Sequence, residues 1–215
     1  MAQIFHPSIN TLSKGSIFGA VLFVAALAWA GFEIAESPYL TGARAITPQP
    51  VPFSHKHHVS GLGIDCRYCH VFVEESAVAG LPPTETCMNC HSQIWADSPM
   101  LEPVRDSFRT GRSIEWARVH DLPDFVYFDH SIHVANGIGC VSCHGRVDEM
   151  PLMWQQHTLQ MNWCLSCHRG PEPHLRPRAE VFVMDGEPAE RPDAPARRYD
   201  AAAIRRLTTC SACHR

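Results

Sequence analysis

Charge is scarce in this chain of 215 residues. Asp, Glu, Lys and Arg make up 19%, the formal net charge is -4, and Lys14 and Lys56 are the two lysines among eighteen basic residues. That balance excludes a strongly basic nucleic-acid binder, and no nucleic acid is expected as a partner. Sustained alternation of apolar and polar residues is also missing, which argues against a fold built on sheets. One long apolar run occurs, near the N-terminus. Seventeen prolines and fourteen histidines further deplete the residues from which an ordinary core is packed, although the length would allow one or two domains.

Cysteine is abundant, and no cysteine stands outside a pair. The ten form five C-x-x-C pairs, each followed at once by histidine: Cys66, Cys69, His70; Cys87, Cys90, His91; Cys140, Cys143, His144; Cys164, Cys167, His168; Cys210, Cys213, His214. C-x-x-C-H is the attachment signature of c-type haem. The two thiols form thioethers with the vinyl groups, and the adjacent histidine reaches the iron from the proximal side. A single helical turn suffices, because residues i, i+3 and i+4 share one side of it. A disulfide scaffold has no use for the five histidines, and zinc ribbons do not require one after every pair. Five covalent haems c are therefore expected. Attachment needs reduced thiols and exported haem, so most of the chain should lie outside the cytoplasm.

Residues 15–32 carry no charge, and at 1.5 Å per residue they span about 27 Å, enough for the hydrocarbon core of a bilayer. Lys14 before the run and Glu33 after it place residues 1–14 in the cytoplasm and the haem motifs outside. Ala28-Trp29-Ala30 offers a small-residue cleavage site, but the segment is expected to persist as a single-pass signal anchor in the bacterial inner membrane, followed by a linker over 33–52.

Four further histidines fall in a repeated F-x-H-x-x-H element: Phe53, His55, His58 and Phe128, His130, His133. Each precedes two attachment motifs, giving dihaem modules over 53–120 and 121–170 and an arm over 171–215 that ends in the fifth motif. A low-spin haem needs a second axial ligand, and histidines three apart can serve two irons. The element resembles that of the small multihaem cytochromes of the c3 and c7 class. This resemblance implies that His55, His58, His130 and His133 are distal iron ligands. For the remaining haem His120 is preferred over His157 and over Met150, Met153 and Met161; His57 and His174 are expected to stay off the iron.

The spacing predicts a helix from Thr84, as N-cap, through His91, and a second short helix starting near Pro151 and running through Trp154 towards Cys164, with His157 on it. The expected fold is a multihaem cytochrome c of short helices and coil around stacked porphyrins, with one transmembrane helix and little or no sheet. Sixteen arginines suit bidentate pairing with haem propionates. The proline- and arginine-rich arm is expected to wrap the haem domain.

The N-terminal anchor, Pro52-Phe53-Ser54-His55-Lys56-His57-His58, Pro82-Pro83-Thr84-Glu85-Thr86-Cys87-Met88-Asn89-Cys90-His91 and Val119-His120-Asp121-Leu122-Pro123 together resemble the membrane-anchored pentahaem cytochrome subunit of alternative complex III, a bacterial quinol-oxidising complex. Membership would imply iron-sulfur and polytopic quinol-binding subunits as partners, and a monohaem cytochrome c, soluble carrier or oxidase as acceptor. Related multihaem subunits occur in quinone reductase complexes. The leading expectation is an electron relay without catalysis of its own. Pentahaem nitrite reductases resemble the chain in haem number but carry an active-site C-x-x-C-K, which is missing here, and the anchor-plus-tetrahaem quinol dehydrogenases lack the duplicated histidine pairs.

Overall fold

The computed structural model describes residues 4–185 and 200–214. Ten α-helices are found among them, most of a single turn or two, with no strand and three isolated backbone bridges, Ile46 to Trp154, Val126 to His214 and Ile138 to Leu175. The expectation of short helices and coil holds.

Residues 1–43 form one unit, dominated by helix α1, Ser8–Glu36. It is longer at both ends than the uncharged run. Nothing in the flanking residues breaks a helix until Pro7 on one side and Ser37-Pro38 on the other, so hydrogen bonding propagates through Ser8, Asn10 and Glu33. Its mean hydropathy is 2.1 over the most apolar window, and none of its side chains is buried. Helix α2, Pro38–Thr41, ends at Gly42, whose φ of 69° gives the left-handed cap that glycine adopts without strain.

Residues 44–215 form the second unit. Its helices are α3 (Cys66–Cys69), α4 (Thr84–His91), α5 (Glu102–Thr110), α6 (His130–Ala135), α7 (Cys140–His144), α8 (Met161–Arg169), α9 (Ala201–Leu207) and α10 (Cys210–Cys213), with a π-helix over Lys56–Gly61. Helix α4 begins one residue earlier than predicted. Pro83 occupies the cap, and the Thr84 hydroxyl turns instead to the Ser107 hydroxyl on α5 at 2.6 Å. The helix expected from Pro151 does not form. Residues 151–160 satisfy their backbone across the chain instead: the Gln155 carbonyl accepts from Arg44 N–H at 2.6 Å, Trp154 bridges Ile46, and Leu159 has a φ of 57°. The helix carrying the fourth motif starts only at Met161.

The polypeptide's own core is thin. In this unit the buried apolar side chains among the described residues are Val51, Val73, Val104, Val134, Val141, Met150, Leu175, Val181 and Met184, with Val73, Val134 and Val181 packed as one cluster. Large apolar side chains beside the motifs, among them Tyr68, Phe72, Ile94, Phe125 and Met161, stand exposed. Such surface needs a cover to be stable in water.

The first part of the arm wraps back on module 2. Arg176 is buried, its N–H donates to the Gly137 carbonyl at 2.7 Å, and its guanidinium donates to the Val183 carbonyl at 2.9 Å. Gly137 is required here. Its φ is +86°, and a Cβ would stand 2.5 Å from the Arg176 carbonyl oxygen. Cys140 N–H then donates to the Val181 carbonyl at 3.1 Å, tying the arm to the third motif. The modules interlock through His130 N–H and Ser131 N–H, which donate to the Ala77 and Ser76 carbonyls, and through Ser60, whose hydroxyl donates to the Asp148 carbonyl at 2.6 Å. The remainder of the arm up to residue 199 lies outside the described residues.

Candidate haem sites

Each of the five motifs starts or occupies a helical turn, as the attachment chemistry demands. No disulfide joins any of the ten cysteines. Burial pushes the Cys140 and Cys143 thiols up to about 12. Among the described residues no group of three or more His, Cys, Asp or Glu is gathered as a self-sufficient metal site. Histidines brought together two at a time are what an iron already held by four porphyrin nitrogens requires.

Four of the five motif histidines share one hydrogen-bonding arrangement. His70 Nδ1 lies 2.7 Å from the Gly80 carbonyl, His91 Nδ1 2.9 Å from Ile94, His168 Nδ1 2.9 Å from Leu207, and His214 Nδ1 3.1 Å from Phe125. A carbonyl only accepts, so Nδ1 must carry the proton and Nε2 keeps its lone pair for a metal. Gly80 is held to its task by a φ of +83° and by Phe72, whose ring would meet a Cβ at 2.9 Å. His144 differs: its Nδ1 lies 3.2 Å from Nε2 of His120.

The F-x-H-x-x-H elements are repeated in geometry as well as in sequence. The Phe53 ring stands edge-on to His55 (4.9 Å, 87°) and stacks on His58 (4.4 Å, 25°), and Phe128 stands edge-on to His130 (4.7 Å, 89°) and stacks on His133 (4.6 Å, 23°). His58 Nδ1 is 2.8 Å from the Ser54 carbonyl and His133 Nδ1 2.6 Å from that of Asp129, so both are fixed in the same tautomer. His130 Nδ1 reaches the Ala77 carbonyl at 2.8 Å, whereas His55 Nδ1 is buried without a hydrogen-bond partner. The first pair rides on the π-helix and the second on α6, a local difference that leaves the Phe–His packing unchanged.

These histidines face the motif histidines at one separation. Ring centres lie 6.1 Å apart for His58 and His91, 6.2 Å for His130 and His144, and 6.1 Å for His133 and His168. An imidazole–metal bond is about 2 Å long, and a five-membered ring with sides of about 1.33 Å has a radius of about 1.1 Å, so two imidazoles on one metal have centres about 6.2 Å apart. The three pairs fit a haem iron between them. His55 lies within electrostatic reach of His70, which completes the pattern of first histidine to first motif and second histidine to second motif in each module. Burial pushes His55 down to about 4 and His144 to about 3, holding both rings in the neutral form that binds metal.

The structure places His120 against His144, and burial pushes it down to about 4. His157 stacks on Trp163 at 4.8 Å, off any helix; His57 stacks on Trp95 at 6.0 Å; His174 sits in the short turn Glu172–His174; and Met150 is packed into the core. The carbonyls that hold the rings leave no mark in the sequence, because any residue supplies one.

Cys69 lies near Cys87, Cys140 near Cys66, Cys143 near Cys167 and Cys164, and Cys164 near Cys213, so the second and third motifs each neighbour the first, the fourth neighbours the third and the fifth neighbours the fourth.

Short helices, attachment turns and facing histidines define a multihaem c-type cytochrome. Residues 126–215 match the family model described as cytochrome c7 and related cytochrome c. The chain is similar to the menaquinone reductase multihaem cytochrome c subunit of Nitratidesulfovibrio vulgaris, at 32% identity over 148 residues, covering 59% of this chain and 70% of the relative. It belongs to that family of multihaem cytochrome c subunits.

Proposed function

We propose that the chain carries five covalent haems c and relays electrons, without catalysis of its own, in a membrane-bound quinol-oxidising complex of the alternative complex III type. The observation that carries this reading is the repeated placing of two imidazoles with ring centres about 6 Å apart. Each bound haem supplies a one-electron couple between ferric and ferrous iron. The chain's residues do the rest. Cys66, Cys69, Cys87, Cys90, Cys140, Cys143, Cys164, Cys167, Cys210 and Cys213 would fix the rings, and His70, His91, His144, His168 and His214 would hold the irons from the proximal side. His55, His58, His130 and His133 would close the distal sides of the first four haems, which would deny those irons to substrates. Phe53 and Phe128 wedge the distal pairs in place. The adjacency of the motifs supports a relay that passes through all five haems. Helix α1, apolar and long enough to cross a bilayer, supports a single-pass anchor with its N-terminus in the cytoplasm and the haem unit on the periplasmic side. Iron-sulfur and polytopic quinol-binding subunits are the partners of this reading, and a monohaem cytochrome c, soluble carrier or oxidase is the acceptor.

The name of the Nitratidesulfovibrio vulgaris relative favours a second reading with the current reversed, from an external donor towards menaquinone. Mild-detergent extraction, a native gel stained for haem and mass spectrometry of the band distinguish a complex from a lone cytochrome. A large band holding iron-sulfur and polytopic subunits is expected; a small band containing this chain alone contradicts the proposal. In the isolated complex, haem reduction by a menaquinol analogue supports the first direction. Reoxidation of reduced haem by the quinone, without haem reduction by quinol, supports the second.

A further inference from the structure

His144 is the one motif histidine whose Nδ1 meets a side chain. The other four face backbone carbonyls at 2.7–3.1 Å, whereas His144 Nδ1 lies 3.2 Å from His120 Nε2, with ring centres 4.4 Å apart and planes crossed at 74°. If His144 Nε2 binds iron, the only proton left on its ring is at Nδ1. His144 must then donate, and His120 must accept with its Nε2 lone pair while keeping its own proton at Nδ1. That lone pair is used, so His120 Nε2 is closed to an iron of its own. The separation of 4.4 Å is also too short for two rings flanking a metal, for which about 6.2 Å is needed.

The segment bearing His120 is built to hold it there. The Gln49 side-chain amide clamps Ala117 from both sides, donating to its carbonyl at 2.9 Å and accepting from its N–H at 3.0 Å. Arg118 and Asp121, on either side of His120, pair at 2.8 Å.

We infer that His120 is a positioning residue for the third haem: it orients the His144 ring and, as a more basic acceptor than a carbonyl, strengthens that ring as a donor to iron. A stronger axial donor stabilises the ferric form, so the third haem is set to a lower potential than a carbonyl partner would give. The inference rests on His144 being an iron ligand, as proposed above, and departs from the expectation that His120 is itself a distal ligand. The near-parallel planes of His130 and His144, at 8°, mark this haem spectroscopically, because parallel imidazoles give the ordinary rhombic low-spin signal and crossed ones a more anisotropic signal.

The test is a potentiometric titration of the purified haem-loaded protein followed by electron paramagnetic resonance, for wild type, His120→Ala and His120→Gln. Failure of wild type to show a rhombic low-spin haem that is lost in Cys140→Ala overturns the ligand reading itself. With that control in place, His120→Ala is expected to keep every low-spin haem of the wild type, raise the potential of one step and alter the rhombic signal. His120→Gln, whose amide oxygen still accepts, is expected to restore both in part. A new high-spin haem in His120→Ala identifies His120 as an iron ligand and overturns the inference; potentials and signals equal to wild type in both variants overturn it as well. If His120→Ala fails to mature, the smaller shift in His120→Gln still decides between the same outcomes.

Discussion

A histidine has two ring nitrogens, and most of this protein's chemistry follows from which one is occupied. A carbonyl at Nδ1 of His58, His70, His91, His130, His133, His168 and His214 leaves Nε2 as the free lone pair. Removing a distal ring should therefore open one iron. In His58→Ala, resonance Raman is predicted to show one haem leaving the six-coordinate low-spin state, with its potential raised, while the other four are unchanged; an unaltered spectrum would mean that His58 binds no iron. Burial keeps His55 and His144 neutral down to about 4 and about 3. The unfolded chain takes up their protons below about 6.5, so folding stability is untouched above that pH and declines as the pH falls towards these lowered values. Low-spin spectra should accordingly be constant from pH 8 to pH 5, and a high-spin signal growing in at pH 6 would contradict the assignment. The attachment residues were legible in the sequence because thioether chemistry fixes their spacing. His120 was legible as a candidate iron ligand, but its partner was not, since contact across 24 residues leaves no local trace.

At the scale of elements, the duplicated Phe–His packing shows why F-x-H-x-x-H recurs. One aromatic ring wedges two imidazoles at fixed angles, and the arrangement is kept whether the backbone is π-helical or α-helical. The wrapped arm depends on Gly137, where both a positive φ and a close backbone neighbour exclude a side chain. Gly137→Ala is predicted to destabilise the protein by roughly 1–3 kcal/mol, measured as a lowered midpoint in denaturant with haem content unchanged. An unchanged midpoint would show that the arm contributes nothing to folding. The helix from Pro151 was misread for a physical reason: proline at a first turn is permissive, whereas the pairing of residues 154–155 with Arg44 and Ile46 is long-range and outweighs it. Thr84 was misplaced by one position because Pro83 can cap with backbone alone while the threonine hydroxyl serves Ser107.

For the whole molecule, few apolar side chains are buried and many large ones beside the motifs are exposed, so the polypeptide lacks the core to fold unaided. Haem-free chain, produced without a haem-attachment system, is predicted to show little helical circular dichroism and no cooperative melt; a cooperative melt would contradict this dependence. The mass of the denatured chain tests the central claim most directly, because only covalent haem survives denaturation. The account predicts the polypeptide of 24.0 kDa, less any processing at its ends, plus five haems, with one haem fewer in a double replacement of Cys210 and Cys213. A mass equal to the polypeptide alone, or to the polypeptide with fewer than five haems in fully matured protein, would contradict it.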